Sequence, residues 1–540
     1  MQLNKSIEHN KEAWLQAGYE LPEFDRRQIA ENTRNNPEWI HFGAGNIFRA
    51  FQANVVQILL NQGIMSTGLI VAEGYDYEII SKMNQPHDDL SILVTLKSDG
   101  SVKKTVVGSV VESLTVDEEN EADFNRLIEI FTSDSLKMVS FTITEKGYCL
   151  RDGQGNLLPS VKEDFNKGPK ARKSYIGKLV SLVYERYLSG QKPIALVSMD
   201  NCSHNGDKLY DSVNEFAIAW REAGFVEAGF VTYINDRRKV SFPWTMIDKI
   251  TPRPDDSVRT LLYEDNIEDL EQIITSKNTY VAPFVNAEEP EYLVIEDDFP
   301  NGKLPLEQAG IIYTEREIVD KIEKMKVCTC LNPLHTALAI YGCLLGYKLI
   351  SEEMKNPRLK QLVETIGYKE GLPVVVDPKI INPRDFIREV LEVRIPNPFM
   401  PDTPQRIATD TSQKIPIRFG ETIKAYVKSN QLDVKDLTGI PLVIAGWLRY
   451  LCGIDDQGNP MELSPDPRME ELQETLKHVK FGNPSSATGQ LNGLLSNKEL
   501  FGCDLYEIGL GETIETMFSK MLLGPGAVME TINHYLYCGG

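Results

Sequence analysis

Long apolar runs are missing from this chain of 540 residues. The longest candidate, "TALAIYGCLLGY", falls short of a membrane span and reads as a buried helix. The N-terminus, MQLNKSIEHNKEAW, has no apolar core of the signal-peptide kind. Positive charge is in deficit: 57 Lys and Arg stand against 78 Asp and Glu, for a formal net charge of -21. That balance argues against a nucleic-acid partner or an anionic-membrane surface and leaves room only for a local basic pocket. Cysteine is sparse, with eight scattered residues. A disulfide framework is therefore not expected, and a reduced, cytoplasmic compartment is. No internal repeat or low-complexity linker breaks the chain.

The rest of the composition is that of a globular protein, with 42% hydrophobic and 25% charged residues. The length suits two or three domains. In the first half, strand and helix patterns alternate. "EWIHF" runs into Gly43, "IFRAFQANVVQILLNQG" has helical spacing up to a cap at Gly63, and "TGLIVAE" is a second buried strand. The order strand, glycine turn, helix, strand is a βαβ unit. "LSILVTLKSDGSVKKTVVGSVV" reads as a hairpin about Asp99-Gly100, and "KMVSFTIT" and "KPIALVSM" as further buried strands ending in polar residues. In an open parallel sheet such strand ends face the ligand crevice. From about residue 316 strand patterns become scarce, and runs such as "CLNPLHTALAIYGCLLGYKLI" and "DLTGIPLVIAGWLRYLC" read as helices. The expected architecture is an α/β Rossmann-type dinucleotide-binding domain with insertions (1–315), followed by a mostly α-helical substrate-binding domain (316–540), with the active site between the two.

In "FGAGNIFRA", Gly43 and Gly45 supply two glycines of G-x-G-x-x-G, and Phe48 stands where the third belongs. The first glycine makes the tight turn and the second admits the pyrophosphate to the backbone. The third serves helix–strand packing, so its loss affects packing more than phosphate contact. Glu73 ends the next strand, with Asp76 a second candidate. A carboxylate there accepts ribose hydroxyls and repels a 2'-phosphate, which favours NAD over NADP. Asn332-Pro333 reads as a helix start, Asn as N-cap and Pro at the first helical position, which puts His335 in the first turn. The positive helix end keeps its imidazole neutral. Lys326 lies just upstream, and burial of a lysine favours the neutral form that a general base needs. Cys328, Cys330 and His335 have the wrong spacing for zinc; on a strand the two cysteines would share a face and simply pack. "SMDNCSHNGD" sets Asp200, Asn201, His204 and Asn205 after a strand, in residues that also form turns.

Taken in order, "FGAGNIFRA", "TITEKGY", "SMDNCSHNG", "MIDKITPR", "YLVIEDDF", "KVCTCLNPLHTAL" and "RIATDTSQKIP" resemble the polyol-specific long-chain dehydrogenases, or mannitol dehydrogenase family. They run from about residue 38 to 420, and they look most like the branch that interconverts D-mannonate and D-fructuronate. Other polyols or sugar acids (mannitol, altronate) are the alternatives, and a silent NAD-binding sensor is the alternative of another class. The resemblance implies NAD as cofactor, a small-molecule substrate and no metal. It implies a G-x-G-x-x-x-R turn in which Asn46, Ile47, Phe48 and Arg49 contribute to the cofactor site. It implies that Lys326 is the general acid/base, that Asn201 and Asn332 hold the substrate oxygen, and that Glu145 aids proton exchange with solvent. Asp248, His335, Arg406 and Lys414 match substrate-contacting positions. In many members the lysine stands five residues before the asparagine, whereas Lys326 stands six before Asn332 and Lys324 eight. A one-residue insertion ahead of the helix accommodates the difference. Many members also carry Trp at the position of Tyr292, and Gly at that of Pro333.

Overall fold

Ile, Val, Leu and Phe dominate the runs that read as buried strands, and those runs pair in parallel. A computed structural model describes residues 1–537. The chain divides into two compact units, Met1–Lys97 with Ser101–Asp320, and Ser98–Gly100 with Lys321–Gly540.

The first unit is built on a sheet of six parallel strands: β1 (Trp39–Phe42), β2 (Leu69–Glu73), β3 (Val110–Thr115), β4 (Met138–Phe141), β5 (Ile194–Ser198) and β6 (Val240–Ser241). Their spatial order is β3-β2-β1-β4-β5-β6. The order reverses between β1 and β4, which is the switch point where doubly wound folds open a crevice for a dinucleotide. Both faces are covered. Ile40 and Phe42 of β1 point into one core, with Phe124, Leu127 and Phe131 of α2 (Glu121–Thr132) and Leu179, Val180 and Val183 of α3 (Tyr175–Leu188). Trp39, Val71 and Val197 point into the other, with Phe48, Phe51, Val55 and Leu59 around α1 (Ala53–Asn61). Strands buried on both faces explain the continuous apolar runs. The expected hairpin forms as Ser91–Leu96 against Val102–Val107. It belongs to a separate four-stranded sheet.

The second unit is helical. A π-turn, Lys326–Cys330, joins α4 (Arg316–Met325) to α5 (Asn332–Leu345), so the helix runs on for 30 residues, Arg316–Leu345. By length and composition this helix alone among the described residues qualifies for a membrane crossing, which the apolar runs read singly did not suggest. However, 78% of its most apolar window is buried inside the protein, as in a core helix. α6 (Gly439–Leu451) is buried along its whole length. Its first amides are satisfied by a buried carboxylate: Glu370 accepts from Thr438, Gly439 and Ile440 at 2.6–2.8 Å. This is the arrangement that a positive helix end rewards.

The glycine turn after β1 is fixed by sterics. Gly43 has φ +108, and a Cβ there would overlap the Thr142 carbonyl oxygen at the end of β4. Gly43→Ala should therefore lower the midpoint of thermal unfolding by roughly 2–5 °C. Gly45, with open space where its Cβ would be, serves as the control: Gly45→Ala should move the midpoint by no more than about 1 °C. Equal shifts for the two variants in differential scanning calorimetry would contradict the steric account.

Candidate active site

In the first unit the site elements cluster at the carboxyl ends of the central strands. Glu73 ends β2, and its carboxylate accepts from Ala44 N–H in the glycine turn at 2.9 Å, and from Tyr75 and Asp76 N–H at 2.8 and 3.1 Å. Burial pushes its pKa up, and the three amides oppose that shift. The carboxylate therefore sets the shape of the turn. Asp76 is buried; one carboxylate oxygen accepts from Thr275 at 2.6 Å and the other has no partner. Phe48, in place of the third glycine, is wholly buried and stacks on His41 at 4.4 Å, so its side chain serves the core, and only its backbone is left for a cofactor. Arg49 is likewise turned inward: it donates to Ala282 O at 2.7 Å and to Asn46 Oδ1 at 3.1 Å, and its Nε has no partner. The open space at Gly45 and the orphaned atoms of Asp76 and Arg49 fit a nucleotide at this turn.

The polar loop after β5 divides its labour. Asp200 accepts from Ile143 N–H, Thr144 N–H and Tyr148 O–H at 2.9, 2.8 and 2.6 Å, tying this loop to the one after β4. Asn205 donates to Asp200 O and to Thr245. His204 stacks on Trp244 at 4.2 Å. These three residues are structural, while Asn201 between them is exposed at the strand end. Glu145 lies in the short helix Thr144–Gly147, exposed and ion-paired with Lys208. Asp248 ends the strand Thr245–Asp248, directly opposite Tyr292 in the antiparallel register.

In the second unit the segment before α5 is a π-turn, Lys326–Cys330, a form that takes one extra residue into a helix. Lys326 opens it and is only 4% exposed, whereas Lys324 is exposed. The π-turn also changes three expectations. Cys328 and Cys330 lie on a helix, not a strand. Asn332 is no N-cap, because the chain arrives already helical; its side-chain amide makes no hydrogen bond among the described residues. His335 consequently has no helix end to hold it neutral. Burial does so instead, with Arg394, Arg418 and Arg406 nearby, against the pull of Asp402 at 3.5 Å, and its pKa is held down to about 4. Arg406, on the short helix Pro404–Ile407, pairs with Asp402. Lys414 donates to the carbonyls of Ile407 and Thr409. Asp402, Arg394 and Arg418 were not singled out from the sequence; the four-residue steps Asp402–Arg406 and Lys414–Arg418 were the available signal. Among the described residues no three His, Cys, Asp or Glu side chains converge as a metal site would require, and the described cysteines form no disulfide.

The Mannitol dehydrogenase Rossmann domain matches residues 37–308, and the Mannitol dehydrogenase C-terminal domain matches residues 318–522. The chain belongs to the mannitol dehydrogenase family. Membership makes it an oxidoreductase with the two-part fold that the motif order implied. It is 53% identical over 534 residues, 98% of both chains, to a D-mannonate oxidoreductase of Thermotoga maritima. Two solved structures share the fold: a substrate-free D-sorbitol dehydrogenase (TM-score 0.80, 23% identity, covering 98% of this chain and 100% of that one) and the Pseudomonas fluorescens mannitol 2-dehydrogenase in ternary complex with NAD and D-mannitol (TM-score 0.69, 25% identity, 99% and 100%).

The His335 environment has a measurable pH signature. Its folded pKa of about 4 lies below the ordinary 6.5. As pH falls the unfolded chain takes the proton first, so stability that is full above about 6.5 is lost on descent to about 4. The loss attributable to this group is roughly 3 kcal/mol. Denaturant titrations from pH 7 to pH 4 should show His335→Gln with a shallower decline than the parent chain. Parallel declines would mean that His335 is not held neutral.

Proposed function

We propose that this chain is an NAD-dependent oxidoreductase that interconverts D-mannonate and D-fructuronate by hydride transfer, with a lysine acid/base and no metal. The observation that carries the reading is the 53% identity, over 98% of both chains, to a D-mannonate oxidoreductase. NAD, when bound, supplies the hydride acceptor. Gly43, Gly45 and the backbone from Asn46 to Arg49 hold its phosphates, and Glu73 with Asp76 its ribose. In oxidation, neutral Lys326 takes the proton of the secondary hydroxyl while the carbon gives up its hydride. The side-chain N–H groups of Asn201 and Asn332 hold the oxygen as negative charge develops, a contribution of about 3–4 kcal/mol for one such donor. In reduction, protonated Lys326 returns the proton, and Glu145, open to water, exchanges it with solvent. Asp248, neutral His335, Arg406 and Lys414 hold the polar substrate chain. The unused amide of Asn332 and the burial of Lys326 support these roles.

Turnover on mannonate, altronate and mannitol tests the substrate, and kcat/KM should be highest on mannonate by tenfold or more (about 1.4 kcal/mol). Preference for mannitol would replace the sugar-acid reading with a polyol one. Lys326→Ala should cost about two to four orders of magnitude in kcat with NADH affinity intact, and Lys324→Ala should be mild. The reverse pattern would reassign the base. NADH should bind more tightly than NADPH by fluorescence titration, and dialysis against a chelator should leave activity intact; restoration of lost activity by zinc would overturn metal independence.

A further inference from the structure

One cation near His335 has no acid to answer it. Arg418 sits on the π-turn Pro416–Gly420 and is half-buried. Its Nη1 donates to Thr336 Oγ1 at 2.5 Å, and it forms no ion pair with any described residue. Burial pulls its pKa down to about 10 with no carboxylate acting to raise it. Lys414, one helical turn earlier, also lacks a carboxylate partner: its ammonium is held by the two backbone carbonyls, and Arg418 and Arg406 add to the positive field around it. Of the nearby acids, Asp410 and Asp466 act electrostatically on Lys414, and none acts on Arg418. Asp402 faces Arg406 and His335, and Asp466 accepts from Ser412 and from Arg468 N–H.

A half-buried guanidinium without a counter-charge loses hydration and gets no pair in return, an arrangement that persists where a ligand supplies the anion. Thr336 fixes one edge of the guanidinium fork and leaves its other N–H groups to present to a planar acceptor. A carboxylate matches that fork with two parallel hydrogen bonds; a hydroxymethyl group does not. His335 is adjacent to Thr336 on α5, and Lys414 is within the same positive field, so the fork lies beside residues already assigned to the substrate chain.

We infer that Arg418, oriented by Thr336 and assisted by Lys414, receives the carboxylate of a sugar-acid substrate and sets the preference for the acid over the corresponding polyol. The inference rests on the proposed sugar-acid activity and names a residue that carries it. The wild-type substrate panel decides that activity by itself; variants of Arg418 and Thr336 decide the role of Arg418.

The experiment is steady-state kinetics of Arg418→Gln, Arg418→Lys and Thr336→Val on mannonate and mannitol at saturating NAD. NADH binding and circular dichroism serve as checks of folding. Arg418→Gln should raise KM for mannonate by at least about 30-fold, with kcat/KM for mannitol within about threefold of the parent. Arg418→Lys should recover part of the loss, since it restores charge but not the fork. Thr336→Val should shift selectivity in the same direction by a smaller factor, and it keeps the test open if the glutamine variant misfolds. Equal losses on acid and polyol, or an unchanged mannonate KM in both Arg418→Gln and Thr336→Val, would overturn the assignment. A wild-type chain that turns over polyols but no sugar acid would remove both this inference and the activity beneath it.

Discussion

The carboxylate of Glu73 holds the glycine turn of the first unit in place. It ends β2, yet its hydrogen bonds go to the turn after β1 and to its own following loop. Two adjacent strand ends are thereby fixed to one another at the point where a doubly wound sheet meets its ligand. Burial raises the pKa of this acid, and three converging amides offset part of that penalty. Asp200 repeats the device between the ends of β4 and β5, with two amides and a tyrosine hydroxyl. Both acids shape the loops first. Asn201, next to Asp200, stays exposed.

The second unit solves its electrostatics differently. Three arginines gather around a histidine that burial holds neutral. Asp402 answers Arg406, while Arg418 has a hydroxyl but no acid. In a chain whose formal charge is -21, such a positive focus is local and cannot be inferred from net charge. The same unit buries Glu370 under the start of α6, where three amides replace water. A buried acid here is supported by backbone amides in place of an opposite charge.

Legibility from sequence followed the range of the forces involved. The βαβ unit around Gly43 was readable because apolar runs, a glycine turn and a helical period are local and agree with one another. The helical second half was readable for the same reason. Asn332 as an N-cap was a sound local reading that failed, because Asn-Pro looks the same whether the chain arrives extended or already helical, and Lys326–Cys330 arrives helical. Phe48 looked like a variant of a cofactor motif; its partner His41 comes from the preceding strand, and only the fold shows them stacked. Arg418 was invisible because a cation's significance depends on whether an acid answers it, and that is a tertiary fact.

The π-turn at Lys326–Cys330 also bears on how such proteins are found. A single added residue in a regular helix would rotate everything beyond it by about 100°. Taken up in a π-turn, an extra residue is absorbed locally, and α5 carries Asn332 and His335 in its first turn. A search pattern that counts five residues back from Asn332 lands on Val327 in this chain; one with a residue of slack at the π-turn reaches the buried Lys326.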